Sequence, residues 1–359
     1  MENFFTVNNK RVRLPIFCPD ATRGVVRSLS LDDLTTLGVA GVIVNTWHLG
    51  QYPGAVLMQH LGGIKKLMNY QQLVISDSGG FQVYSLFQQQ ADFGKITDAG
   101  LVTYTDSKKQ HKMLFTPEDS IAMQFALGSD IMICLDDFTP PGCHVGRAQI
   151  SVQRTIAWAK RCKCEFERQL HLRGDKLADK AHRPQLFAVI QGDRHLKLRQ
   201  FCAESLQEIG FDGYGLGGLP FTPEGKLDVP LCEFNARLTS DNLPRYAMGL
   251  GKVADIIALY QLGYQIFDCV LPTRDARHGR VYIFNQQNLT NSYLQIKKTL
   301  YQTDTRPLDE HCSCATCRQH SRAYLHHLYK IGESAYARLA TIHNLHQYLQ
   351  LMKLLGKQA

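Results

Sequence analysis

Eight short apolar runs, each closed by a polar residue, glycine or aspartate and followed by a helical pattern, constrain this chain more than any other feature. They are LPIFCPDAT (14–22), GVIVNTWH (41–48), QLVISDSGG (72–80), IMICLDD (131–137), LFAVIQG (186–192), GYGLGG (213–218), YAMGLG (246–251) and IFDCVLPTR (266–274). Near-continuous apolar strands that alternate with helices need a parallel sheet buried on both faces. Eight such units close into a (β/α)8 TIM barrel, and 359 residues leave room for a small attachment. A doubly wound open sheet is the rival, but it usually has fewer strands, and no glycine-rich dinucleotide fingerprint follows the first run.

Two stretches depart from the alternation. Between the third and fourth runs, LVTYT, the turn-prone DSKKQ and HKMLFT read as a β-hairpin insertion over 101–116, ahead of a helix opened by Thr116 and Pro117. After the eighth run the pattern breaks into NQQNLTNSYLQIKK and a cysteine cluster. The expected division is a catalytic barrel over 1–283, with the hairpin at its active face, and a zinc-binding helical subdomain with a closing C-terminal helix over 284–359.

Composition narrows the class of partner. Hydrophobic residues at 44% and charged residues at 20% suit a globular protein and exclude a disordered one. A formal net charge of +8 favours a polyanion, because lysine and arginine gain affinity by releasing counterions from phosphates. No apolar run is long enough to span a bilayer, and MENFFTVNNKRVRLP lacks the apolar core of a leader. Eleven scattered cysteines do not form a disulfide framework, so a reducing cytoplasm is expected.

Cys312, Cys314 and Cys317 form C-x-C-x-x-C. Three close thiolates and a histidine from a following helix make a tetrahedral zinc site, and four protein ligands leave no open position, so its role is structural. His343 stands downstream, and by spacing alone His326, His327 and His346 are alternatives for the fourth ligand. Cys162 and Cys164, on the charged stretch RCKCEFERQ, read as solvent-facing thiols.

In a barrel the chemistry sits at the C-terminal ends of the strands. The polar residues there are Asp77, Asp136, Asp137, Gln191 and Asp268. Carboxylates facing one mouth suit acid–base work combined with a carboxylate nucleophile, the arrangement used at an anomeric carbon. Ser78-Gly79-Gly80 and Gly217-Gly218 let backbone approach a ligand, and Phe81 and Met248, just past strand ends, suit the two faces of a flat heterocycle.

These residues together resemble one family. SDSGGFQVYSL (76–86), LDD (135–137), VIQG (189–192), GLGGL (215–219), MGLGK (248–252), FDCVLPTRDARHG (267–279) and the C-x-C-x-x-C with its distant histidine stand in the order found in tRNA-guanine transglycosylases. The resemblance spans essentially the whole chain and is closest to the bacterial and eukaryotic catalytic types. It implies that Asp268 is the nucleophile, attacking the anomeric carbon of the wobble guanosine in a tRNA with a G-U-N anticodon, and that Asp77 is the general acid/base. It implies that Asp136, Gln191 and Gly218 read the edges of the base, that Phe81 and Met248 stack on it, and that Arg274 and Arg277 contact the anticodon loop. It makes His343 the fourth zinc ligand. It further implies exchange of guanine for a 7-deazaguanine base, either the aminomethyl precursor or queuine, no organic cofactor, and a homodimer.

The sequence departs from the family at Leu219-Pro220-Phe221-Thr222-Pro223 and at Phe138, both flanking the region that receives the 7-substituent, and at DATRGVVRSL near the N-terminus. Three other readings compete. A noncatalytic accessory subunit would lose the catalytic carboxylates, which this chain keeps. A retaining glycosidase would carry tryptophans at its strand ends, whereas Trp47 and Trp158 are the only two in the chain. A DNA-acting transglycosylase shares the site logic, but the motifs lie nearer the tRNA branch.

Overall fold

The computed structural model describes residues 4–89, 93–104, 112–285 and 287–357. All eight runs are strands: β1 Ile16–Pro19, β2 Gly41–Asn45, β3 Leu73–Asp77, β4 Ile131–Ile133, β5 Gln185–Ile190, β6 Gly213–Leu216, β7 Arg245–Ala247 and β8 Ile266–Cys269. They form one parallel sheet in which every strand lies beside its neighbour in sequence and β1 lies beside β8. A parallel bridge between Asp20 and Ile43 closes the circle, with Ala21 N–H donating to Ile43 O at 2.7 Å and Asn45 N–H to Thr22 O at 3.1 Å.

Strand alternation sorts the core into an inside and an outside. Ile16, Cys18, Leu73, Ile75, Ile131, Ile133, Phe187, Val189, Tyr246 and Ile266 pack as one cluster that fills the lumen. Their neighbours in sequence, such as Phe17, Val42, Val74 and Phe267, pack outward against helices. An antiparallel hairpin, Phe4–Val7 with Lys10–Arg13, covers the N-terminal end of the barrel. There Asp130, wholly buried before β4, accepts from Lys10 Nζ at 2.8 Å, from Asn8 Nδ2 at 2.8 Å and from Lys65.

The excursion after β3 is larger than a hairpin. Leu101–Tyr104 does pair with Lys112–Phe115, but Gly94–Thr97 adds a third antiparallel strand. The turn DSKKQ lies outside the described residues. Gly94–Thr97, spelled GKIT, has one apolar residue and gives no strand signal of its own.

After β8 the chain forms the hairpin Arg280–Asn285 with Thr290–Gln295, and the change of pattern at residue 283 lies within it. The last helix, Ser334–Leu355, returns to the barrel. Its Leu345, Tyr348, Leu349 and Met352 join the core cluster of Phe17 and Val42, and Tyr348 donates to Gly251 O at 2.6 Å.

One expectation fails here. Cys162 is fully buried, and only Cys164 is exposed. On the helix Val145–Arg173, Ala159, Cys162, Phe166 and Leu170 fall three or four residues apart on one inward face, so charged neighbours in sequence occupy the other face.

Candidate active site

Every barrel strand except β1, or the turn just after it, contributes a side chain to a cavity of about 260 Å³ at the C-terminal mouth. Asp77, Asp136, Gln191, Gly218, Phe81, Met248 and Asp268 all line it. Arg274 and Arg277 lie on the helix Leu271–Arg277 that follows β8, at the rim.

Asp77 ends β3 and is held on both carboxylate oxygens. Thr46 N–H and Gly79 N–H donate to Oδ1 at 3.0 and 3.1 Å, and Asn45 Nδ2 donates to Oδ2 at 2.6 Å. Burial nevertheless raises its carboxyl to about 7, outweighing these bonds, and the nearby charge of Asp268 adds to the rise.

Asp268 is held on one oxygen alone. Tyr246 OH and Gly249 N–H donate to Oδ1 at 2.7 and 2.8 Å, and Oδ2 has no hydrogen-bond partner among the described residues. Burial raises this carboxyl to about 6 against the bonds from Gly249 and Tyr246. The lumen therefore holds an oriented carboxylate with one open oxygen beside a second carboxyl that exchanges its proton near neutral pH.

The LDD pair, just past the end of β4, points two ways. Asp136 faces the cavity, accepts from Gln191 Nε2 at 2.6 Å and is raised to about 6 by burial. Asp137 faces away, fully buried, and is gripped by Arg147 and Arg154, each at 2.6 Å. Gln191 is fixed in turn, because Thr139 N–H donates to its Oε1 at 3.2 Å. Asp136 and Gln191 thus form a braced polar edge that offers acceptors and a donor.

Beside this edge, against Gln191, the backbone approaches closely. A Cβ at Gly217 would lie 2.5 Å from Ile190 O, and Gly218 takes φ +80, so the turn admits no other residue without strain. Phe81 is 53% exposed over the mouth, with its ring 5.1 Å from that of Phe138. Phe138 is also 4.7 Å from Tyr84, which makes a three-ring wall on one side of the cavity.

Four residues that sequence reasoning did not single out belong to this site. Asn45 and Tyr246 hold the two carboxylates. Arg199, fully buried, donates to Gly217 O at 2.8 Å, Ile190 O at 3.1 Å and Asp193 O at 2.6 Å, and so fixes the turns after β5 and β6. Asp20 follows β1, and its charge raises Asp268. The signal for Asn45 and Asp20 was available, since each is a polar residue at the end of an apolar run.

Away from the mouth, Cys312, Cys314, Cys317 and His343 bring one ligand atom each to within 4.8 Å of one another. His343 Nδ1 lies 3.6 Å from Cys314 Sγ and 3.2 Å from Cys317 Sγ. Around a tetrahedral ion with sulfur at 2.3 Å and nitrogen at 2.1 Å, that edge would measure roughly 3.6 Å. The other ring nitrogen, Nε2, lies 2.7 Å from Tyr282 O, the partner that leaves Nδ1 free to ligate. Of the alternatives, His326 is turned instead to Ile296 O at 2.7 Å. The donor set fits a metal ion.

No helix among the described residues is long and apolar enough to cross a membrane. A family model described as queuine tRNA-ribosyltransferase matches residues 4–358. The chain is similar to the queuine tRNA-ribosyltransferase of Idiomarina loihiensis, with 37% identity over 95% of this chain and 85% of that protein. For that of Chromobacterium violaceum the values are 37%, 98% and 89%, and for that of Nitrosomonas europaea 38%, 97% and 87%.

Proposed function

The chain belongs to the queuine tRNA-ribosyltransferase family of pentosyl-transferring enzymes, and on that premise we propose that it exchanges the wobble guanine of tRNAs with a G-U-N anticodon for a 7-deazaguanine base. The observation that carries this reading is the pairing, in one cavity, of Asp268 with an open oxygen and Asp77 with a carboxyl raised to about 7.

The target nucleotide leaves its stack and its base enters the cavity. Asp268 Oδ2 attacks the anomeric carbon, the bond from that carbon to the guanine breaks, and Asp77 delivers a proton to the departing base. The sugar stays joined to Asp268 while guanine leaves and the new base takes its place. Asp77 then takes a proton from the incoming base, whose nitrogen attacks the anomeric carbon and releases Asp268. Asp136 and Gln191, with the backbone at Gly218, hold the edges of the base, Phe81 and Met248 cover its faces, and Arg274 and Arg277 hold the anticodon loop. The net charge of +8 suits tRNA as partner, and a tRNA substrate suits the cytoplasm as the place of work.

Cys312, Cys314, Cys317 and His343 would hold one zinc ion, whose closed ligand set supplies structure and no open position for chemistry. In this reading the active form is a homodimer.

Labelled guanine supplied with unmodified tRNA should be incorporated at the wobble position, and absence of incorporation into any G-U-N tRNA would remove the proposal. The pH profile of guanine release follows from the two carboxyls. Below about 6 Asp268 holds a proton and cannot attack, and above about 7 Asp77 has lost the proton that guanine must take. The rate should fall on both sides of that window, and a flat profile from pH 5 to 9 would contradict the assignment.

The incoming base is decided by competing the aminomethyl base against queuine under identical conditions. Phe138, packed against Phe81 and Tyr84, narrows the side of the cavity that takes the 7-substituent. Phe138→Cys should shift the incorporation ratio toward the bulkier base by about tenfold. An unchanged ratio would show that Phe138 has no part in the choice.

A further inference from the structure

A nucleotide whose base enters the cavity brings a ribose with it, and the barrel restricts where that ribose lies. Every strand except β1 lends a side chain to the cavity, and Asp268 on β8 is the last before the gap. A sugar joined to a base beside Asp268 would lie near the seam between β8 and β1.

The polar side chain at that seam is Asp20. Along β1, Phe17 points outward, while Ile16 and Cys18 face the lumen. Continued alternation turns Asp20, two residues on, to the lumen side of the mouth. Cys18 is the cross-strand partner of Asp268, so Asp20 stands about 7 Å further along the strand toward solvent. Its backbone bridges Ile43 of β2, which anchors it to the ring of strands. The Thr22 hydroxyl donates to Oδ1, and Oδ2 has no hydrogen-bond partner among the described residues. The ionisable groups in electrostatic reach are Asp268, Arg277 and His48, and among the described residues neither cationic partner makes an ion pair with it.

A free carboxylate oxygen on the strand beside Asp268 would stand within reach of the sugar carbon next to the one attacked. In a ribonucleotide that carbon bears a hydroxyl, the group by which a protein tells RNA from DNA. We infer that Asp20 accepts a hydrogen bond from the 2′-hydroxyl of the target nucleotide and selects a ribonucleotide over a deoxyribonucleotide, an inference that rests on the nucleoside chemistry proposed at Asp268. Asp20 is thus a specificity residue for the sugar, distinct from the residues that read the base.

The test compares guanine exchange on two anticodon stem-loops, one all-RNA and one with a single 2′-deoxyguanosine at the target position. The wild-type protein should favour the ribonucleotide in kcat/KM by about 10- to 100-fold, the size of one hydrogen bond to a charged group. Asp20→Ala should bring the ratio near one, chiefly by slowing the ribonucleotide. Asp20→Asn keeps an acceptor for Thr22, so it holds the test if the alanine variant does not fold, and it should retain a reduced preference. Equal slowing of both substrates in the variants, with the ratio unchanged, would reduce Asp20 to an electrostatic neighbour of Asp268 and overturn the inference alone. Failure of the wild-type protein to exchange guanine on either stem-loop overturns the proposed function and the role of Asp20 with it.

Discussion

Asp268→Asn is expected to abolish base exchange and, at pH 8, to raise the melting temperature. An amide cannot attack the anomeric carbon, and removing the nucleophile of a double displacement costs at least about 10⁴-fold in rate. No covalent complex between the variant and an RNA stem-loop should then survive denaturing electrophoresis. The stability gain has a separate origin. Both recorded bonds to Asp268 fall on Oδ1, from Tyr246 OH and Gly249 N–H, and an asparagine oxygen keeps both. What the substitution removes is a buried charge. The carboxyl is raised from 3.8 to about 6 in the folded protein, so above pH 6 the native state carries a penalty of about 3 kcal/mol that the unfolded chain does not. The penalty shrinks as pH falls and the native carboxyl takes up its proton. It is about half as large at pH 5 and nearly gone below pH 4, where both states are protonated. Thermal melts should show the variant ahead by a few degrees at pH 8, with the lead shrinking toward acid. Full exchange activity in the variant would remove the nucleophile assignment, and a melting temperature lowered at pH 8 would mean that the charge is not strained there.

That trade between stability and chemistry explains which parts of the site were legible in the sequence. Strands buried on both faces are written as apolar runs, and a polar residue at the end of such a run has to face either the mouth or a neighbour. Asp77, Asp136, Gln191 and Asp268 could be found on that rule alone. The rule cannot separate Asp136 from Asp137, because the difference lies in Arg147 and Arg154 on a helix that follows. Nor can it show that Asn45 and Tyr246 hold the carboxylates, since those bonds cross from one strand to the next. Arg199 was hidden because its partners are backbone carbonyls, which carry no mark in a sequence. Linear order hides the burial of Cys162, because the helix turns its charged neighbours in sequence to the far side. The histidine ligand was open to several readings by spacing, and three-dimensional proximity selects His343.

Removing the zinc proposed at Cys312, Cys314, Cys317 and His343 should loosen far more than the loop that would bind it. Cys314 caps the helix Ala315–Gln319, with its side chain accepting from Cys317 N–H, and His343 sits inside the last helix, Ser334–Leu355. The neighbouring Asn344 accepts from Tyr282 N–H at 2.9 Å and donates to Pro272 O and Arg280 O, each at 3.0 Å. The same helix therefore holds the C-terminal hairpin and the helix Leu271–Arg277, which follows Asp268 and carries Arg274 and Arg277. Structural zinc in small domains contributes about 10–16 kcal/mol, comparable to the whole stability of a typical fold. Without an ion, three thiols stand close together with nothing to hold them. Chelation, or His343→Ala, should therefore expose the amides of 312–355 to hydrogen exchange, while β3 to β7, held by their own ladder and lumen, keep protection. Exchange activity should fall by about tenfold or more, with the loss greater for tRNA binding than for the chemical step, because the site is linked through Asn344 to the helix that carries Arg274 and Arg277 and not to the cavity. Protein verified to be metal-free that retained its melting temperature and its protection over 312–355 would show that packing alone holds this subdomain to the barrel.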